Sequence, residues 1–178
     1  MRKIVWVSGL SSGLLIGSNF FISPALSGEN YDSLEWLGFS SMFLFLGLAL
    51  FFGVKRINSE KYHGHIQFSQ AFVASIYIVL IASVVYTLMW ELYFQSSGAD
   101  FVQNYLTSIE EKLKPSTLDP EVIESRLASQ RQVMESYQES LLVRFSLTVT
   151  EIFPVGLLLS LLNGFLQSYL ARRQESKS

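Results

Sequence analysis

The chain has no cysteine, two histidines and four prolines in 178 residues, and only 16% of its residues are charged. Without cysteine there is no disulfide, no thiolate metal site and no cysteine nucleophile, so redox compartment cannot be read from the sequence. The two histidines stand together in the polar segment KRINSEKYHGHIQ as His63 and His65. No acidic partner segment supplies further metal ligands, and no histidine falls inside an apolar run to hold a haem; we expect no metal and no cofactor. Phosphate-binding GxxxxGK[ST], hydrolase GxSxG and metalloprotease HExxH patterns are absent. The expectation is a protein that is not an enzyme. A net charge of −2 leaves no basic surplus, and no nucleic-acid partner is expected.

Apolar residues are abundant instead, at 49% of the chain. Four runs are long enough to cross a hydrocarbon core of about 30 Å, which takes roughly 20 helical residues. They cover about 4–22, 36–54, 68–94 and 145–170. Between the first two lies SPALSGENYDSLE, where Pro24 reads as a stop. The fold class expected is an all-α integral membrane protein with four transmembrane helices and an extracytoplasmic helical hairpin over 98–144, between the third and fourth.

Orientation follows from the basic residues beside the spans. Arg2, Lys3, Lys55, Arg56, Lys61, Arg172, Arg173 and Lys177 share one side, whereas the first loop carries Glu29, Asp32 and Glu35 without a base. Trp6 and Tyr169 fall at the first boundary and Trp36, Trp90 and Tyr93 at the second, as interfacial aromatics do. Both termini are expected in the cytoplasm. An alternative for the first run is a signal peptide cleaved near Ala25-Leu-Ser27, but the run is longer than the 7 to 15 residues such signals use.

The hairpin is read from Val102, Leu106, Ile109 and Leu113, which form a helical seam, and from Asp119-Pro120-Glu121, which supply an N-cap, a proline at the first position and an acid in the first turn. Ile123, Leu127, Met134, Tyr137, Leu141 and Phe145 then keep a helical period into the fourth span, which predicts a second arm without a break. Its charges read as a solvated face.

Small residues recur every four positions at Gly9, Gly13 and Gly17 in the first span and at Gly156, Ser160, Gly164 and Ser168 in the fourth. Such stripes let helix backbones approach closely in lipid, where burial of apolar surface cannot drive association. We expect the first span to pack on the fourth, with dimerisation through the first stripe as the competing reading. Asn163 reads as hydrogen-bond glue between helices.

Two carboxylates touch apolar runs, Glu91 in MWELYF and Glu151 in TEIFPVG. Counting from the basic ends of their spans puts both near the outer headgroup level. There they are either boundary acids or, with Arg144 as counter-charge, a candidate outward-facing ion or proton site. Pro154 removes one amide donor and frees the carbonyl of Thr150, predicting a kink at the hairpin junction that the hydroxyls of Thr148 and Thr150 could help satisfy.

GHIQFSQAF (Gly64 to Phe72), WELY (Trp90 to Tyr93) and EIFPVGL (Glu151 to Leu157) with Ser160 and Leu161 occur in an order that resembles the bacterial membrane-protein family catalogued as domain of unknown function four-one-nine-nine. The resemblance runs over nearly the whole chain. It implies four inner-membrane spans with a polar segment between the third and fourth, and it implies no assigned activity. An Asn-Pro is expected soon after the tyrosine matching Tyr137; Gln138-Glu-Ser140 stands there instead, which favours a continuous arm. The function expected is a non-enzymatic structural or interaction protein of the bilayer, with a homo-oligomer or a membrane or periplasmic protein as partner. The alternative is a small transporter or channel component using Glu91 and Glu151.

Overall fold

The computed structural model describes residues 1–27, 31–114 and 119–175, with side chains omitted at 23–27, 31–35, 37 and 175. Five helices follow one another: α1 (Arg2–Ser27), α2 (Tyr31–Tyr62), α3 (Phe68–Leu113), α4 (Pro120–Glu139) and α5 (Leu141–Glu175). No strand occurs among the described residues. Stretches of α1, α2, α3 and α5 are long and apolar enough to cross a membrane. The protein is an all-helical, four-span membrane protein. Residues 28–30, 115–118 and 176–178, among them Glu29 and Lys177, lie outside the described residues, as do the side chains of Asp32 and Glu35.

α1 continues through Pro24 to Ser27, so this proline does not stop the helix. Membrane helices tolerate proline where other groups re-satisfy the freed carbonyl.

α3 is the axis of the bundle. At 46 residues it is the longest helix, about 69 Å at 1.5 Å per residue, more than twice the hydrocarbon thickness. It passes through Ser96, Ser97 and Gly98 without interruption, and becomes the first arm of the hairpin. The Ser96 hydroxyl donates to the Tyr93 carbonyl within the helix, and Gly98 lies under the Phe94 ring, where a Cβ would come within 2.8 Å of it. Weak helix formers are carried here by packing rather than by propensity.

The glycines of α1 meet α3 and not α5. A Cβ on Gly9, Gly13 or Gly17 would lie 2.7 Å from Ile81 Cβ, 2.7 Å from Val85 Cβ and 2.6 Å from Met89 Cβ respectively. The steady four-residue advance on both helices makes α1 and α3 parallel neighbours. α5 runs antiparallel on another flank of α3, with Gly156 against Val79 and Gly164 against Phe68 and Phe72. The expected pairing of first and fourth spans is therefore corrected: α1 and α5 make no packing contact among the described residues, and α2 packs against both. The small-residue pattern marked both faces correctly as close-approach surfaces, but the branched partners on α3 look like ordinary apolar residues. Leu46, Leu50 and Val54 of α2, Ile78 and Val79 of α3 and Ile152 of α5 form the fully buried centre.

The ends of the bundle differ. At the basic end, Lys61 Nζ reaches Met1 Sδ and the α2–α3 turn lies beside Gln174 of α5. That turn needs left-handed backbone at His63 (φ 50°) and Gly64 (φ 95°). The Asn58 side chain closes it by accepting from the Ile66 amide at 3.0 Å. At the opposite end α4 folds back along α3. Asp119 caps it, accepting from the Glu121 amide at 3.2 Å, with Pro120 in the first turn.

The second arm breaks, contrary to the continuous helix expected. α4 ends at Glu139, Ser140 is extended (φ −114°, ψ 112°), and α5 begins at Leu141. Ser140 then serves as the start of α5: its carbonyl accepts from the Arg144 amide at 3.1 Å and its hydroxyl from the Val143 amide at 3.4 Å. The articulation between arm and membrane helix thus sits at Ser140, and α5 runs through Pro154 as one helix. Neither threonine hydroxyl serves the carbonyl that Pro154 frees, because Thr148 donates to Arg144 O and Thr150 to Ser146 O, each at 2.8 Å.

Candidate functional site

Glu91 stands on α3 at the level where the bundle gives way to the hairpin, and Arg144 stands in the first turn of α5. The antiparallel register that sets Val79 against Gly156 sets these two opposite one another. Arg144 Nε and Nη2 donate to Glu91 Oε2 and Oε1 at 2.9 and 2.8 Å, a two-pronged pair. Nη1 donates to the carbonyls of Tyr137 and Gln138 at 2.9 and 2.8 Å. Those carbonyls belong to the last turn of α4, where a helix leaves its acceptors without partners. A cation at a helix N-terminus opposes the helix dipole. Arg144 is held there nonetheless, because one planar guanidinium can pair a carboxylate and cap a neighbouring helix together. The ion pair explains the break at Ser140: the carbonyls released by ending α4 are taken by a side chain anchored on α3.

Aromatic side chains enclose this clamp. The guanidinium carbon lies 4.6 Å from the centre of the Phe94 ring, within reach of a cation–π attraction. Phe94 meets Tyr137 edge-on with centroids 5.4 Å apart, Trp90 meets Phe101 at 4.8 Å, and Phe20 of α1 meets Trp90 at 4.7 Å. With Val102 and Met134 these make a second core, separate from the centre of the bundle, that binds α4 to α3. Burial pushes the Tyr137 hydroxyl up to about 12, so it stays neutral at ordinary pH. The buried Trp90 indole nitrogen makes no hydrogen bond of good geometry.

Of the three residues grouped as an ion or proton site, Glu91 and Arg144 are brought together. Glu151 lies two turns further along α5, about 10 Å at 1.5 Å per residue, and is exposed on the helix surface. Pro154 is exposed near it. Among the described residues, no group of three or more His, Asp or Glu is placed to hold a metal ion.

A second polar assembly lies deeper, between α2, α3 and α5. Asn163 Nδ2 donates to the Leu50 carbonyl at 3.1 Å and to Ser75 Oγ at 3.0 Å. One turn on, Gln167 Nε2 donates to the Phe51 carbonyl at 3.0 Å. Ser160 is fully buried, and Ser168 donates to the Phe165 carbonyl at 3.0 Å. Sequence reasoning named Asn163 and passed over Gln167; the signal was its four-residue spacing from Asn163 on the face of the small-residue stripe. Gly98 was also missed, although it follows Phe94 by one helical turn.

The family described as Protein of unknown function (DUF4199) matches residues 8–167. This chain belongs to that family. The matched stretch takes in most of the first and fourth spans, all of the second and third, and the hairpin, and it includes Glu91, Arg144, Asn163 and Gln167, so the clamp is part of what DUF4199 covers here. No curated protein and no solved structure matches the chain.

Proposed function

We propose that this DUF4199 protein is a non-enzymatic component of a bacterial inner membrane that holds a helical hairpin rigidly outside the bilayer for a partner to grip. The partner is a membrane or periplasmic protein or a second copy of the chain, and both termini lie in the cytoplasm. The observation that carries this reading is the Glu91–Arg144 clamp. It fixes the end of α4 to α3 and α5, as presentation of a rigid arm requires. It also leaves little for ion binding, since both oxygens of Glu91 are spent on one guanidinium. A transport site needs a carboxylate whose proton or cation can leave, and a charge-compensated, two-pronged pair is a poor one. Lys and Arg clustered at the end opposite the hairpin support the orientation.

The hairpin offers a surface for such a partner, because Val122 and Val133 of α4 are exposed. A photo-crosslinking side chain placed at Val122 or Val133 in native membranes should yield discrete protein adducts. The same side chain at Leu158 or Phe165, exposed on α5 within the span, should yield lipid adducts. The reading fails if the hairpin positions give no protein adduct while Glu91→Gln alone abolishes a proton or cation flux in proteoliposomes.

A further inference from the structure

Two side-chain oxygens in the deep polar assembly are buried and unpaired: Ser160 Oγ and Asn163 Oδ1. Their residues are 0% and 7% exposed. Buried polar groups are nearly always paired with protein or with ordered water, because an orphan forfeits its hydration without compensation. Both oxygens sit one turn apart on the face of α5 that meets α3. The register that sets Val79 against Gly156 and Glu91 against Arg144 sets Ser75 against Ser160. Ser75, itself fully buried, accepts from Asn163 Nδ2 and still has a hydroxyl proton to give.

We infer that an internal water molecule is bound between α3 and α5, donating to Asn163 Oδ1 and hydrogen-bonded to Ser160 Oγ, with Ser75 Oγ as its third neighbour. The chemistry selects water over other small ligands. A metal cation requires more oxygen donors and a compensating charge, whereas this site has hydroxyls and one amide carbonyl and no carboxylate. An anion would find Asn163 Nδ2 already committed to Leu50 and Ser75. A lipid headgroup would need an opening, whereas the atoms concerned are closed off from the surface. Water with two to four polar partners fits the donor and acceptor count.

The site ties three helices at one level. Asn163 donates to α2 and α3 while its carbonyl oxygen faces the water, so α5 is keyed to the bundle by the amide group as a whole. This places a hydrated lock inside the spans, independent of the charged clamp near the hairpin.

The test uses the full chain in lipid nanodiscs with asparagine side chains labelled. Solid-state NMR should show rapid magnetisation transfer from water to the Asn163 side-chain amide, and Ser160→Ala should abolish most of it. In detergent, Ser160→Ala and Asn163→Leu should each lower the midpoint of thermal unfolding, and together should lower it by clearly less than the sum. Absent transfer, or transfer undiminished in Ser160→Ala, would overturn the inference. So would a Ser160→Ala protein that melts at or above the parent midpoint. That last result would mean Ser160 either stands unpaired or bonds back to its own helix. Because Ser160→Ala removes one atom and adds none, it is expected to fold, and the transfer measurement on the unaltered chain does not depend on any variant.

Discussion

Breaking the Glu91–Arg144 clamp tests the argument about the hairpin most directly. The two side chains are 19% and 10% exposed, so each charge is largely withdrawn from water and depends on the other. Removing one partner of a buried pair costs about 3–5 kcal/mol, and the boundary depth of this pair argues for the lower figure. Glu91→Leu should therefore cost about 3 kcal/mol. Arg144→Leu should cost more, because the carbonyls of Tyr137 and Gln138 lose their donor as well, at about 1 kcal/mol each. The double variant leaves no stranded charge, and should be less destabilised than the sum of the singles by at least ~2 kcal/mol. Titration with a denaturing detergent in mixed micelles, followed by tryptophan fluorescence, supplies the three stabilities. A local readout separates the clamp from general instability: Arg126 and Arg131 on α4 are exposed, and trypsin should cut there faster in Arg144→Leu than in a bundle variant of equal stability. Strict additivity in the cycle, or unchanged cleavage of α4, would refute the view that Arg144 ties the hairpin to the bundle.

Glycine substitutions should separate contact from mere composition. Gly13→Ala would set a Cβ 2.7 Å from Val85 Cβ and 2.8 Å from the Ala82 carbonyl, and should cost about 1–3 kcal/mol of overpacking, read in the same detergent titration. Gly47→Ala meets nothing within 4 Å and should change stability by less than about 0.5 kcal/mol; equal losses at both sites would reject the α1–α3 packing. The absence of native cysteine makes orientation accessible. A membrane-impermeant thiol reagent applied to intact cells should label Ser129→Cys, exposed on α4, and spare Ser59→Cys, exposed near the basic end of α2; the reverse pattern would invert the topology.

What the sequence made legible were features carried by composition along a single helix. Four apolar runs, the cap at Asp119 and the small-residue faces are of that kind, because period and capping chemistry act within a few residues. The break at Ser140 is of another kind. Gln138, Glu139 and Ser140 do not stop a helix by themselves, and the groups that end this one are a carboxylate on α3 and a guanidinium beyond the break. An interaction between residues 91 and 144 leaves no periodic trace. The candidate site was legible for the same reason only in part. Glu91 and Arg144 stood out as charges beside apolar runs, but depth counting grouped Glu151 with them, since it measures height along the helix and says nothing about which face a residue occupies. The partner of the α1 glycines was hidden in Ile81, Val85 and Met89, which carry no mark distinguishing a glycine-facing residue from a lipid-facing one.

The continuity of α3 and the break between α4 and α5 together limit how the hairpin can move. One arm is an extension of the helix against which α1 and α5 both pack, so it cannot tilt without moving the centre of the bundle. The other arm touches only α3 and α5 among the described helices. Its articulation with α5 is Ser140, and that articulation is closed by Arg144. A displacement of the hairpin therefore has two routes into the spans: rotation of α3, resisted by glycine contacts along α1 and α5, or release of the clamp. The first must deform close-packed backbone over several turns, whereas the second breaks four hydrogen bonds at one residue. Localised release is the easier change, because packed interfaces switch between discrete arrangements and do not deform continuously. If the hairpin ever reports binding to the spans, α5 should respond before α1, with Ser140 as the hinge.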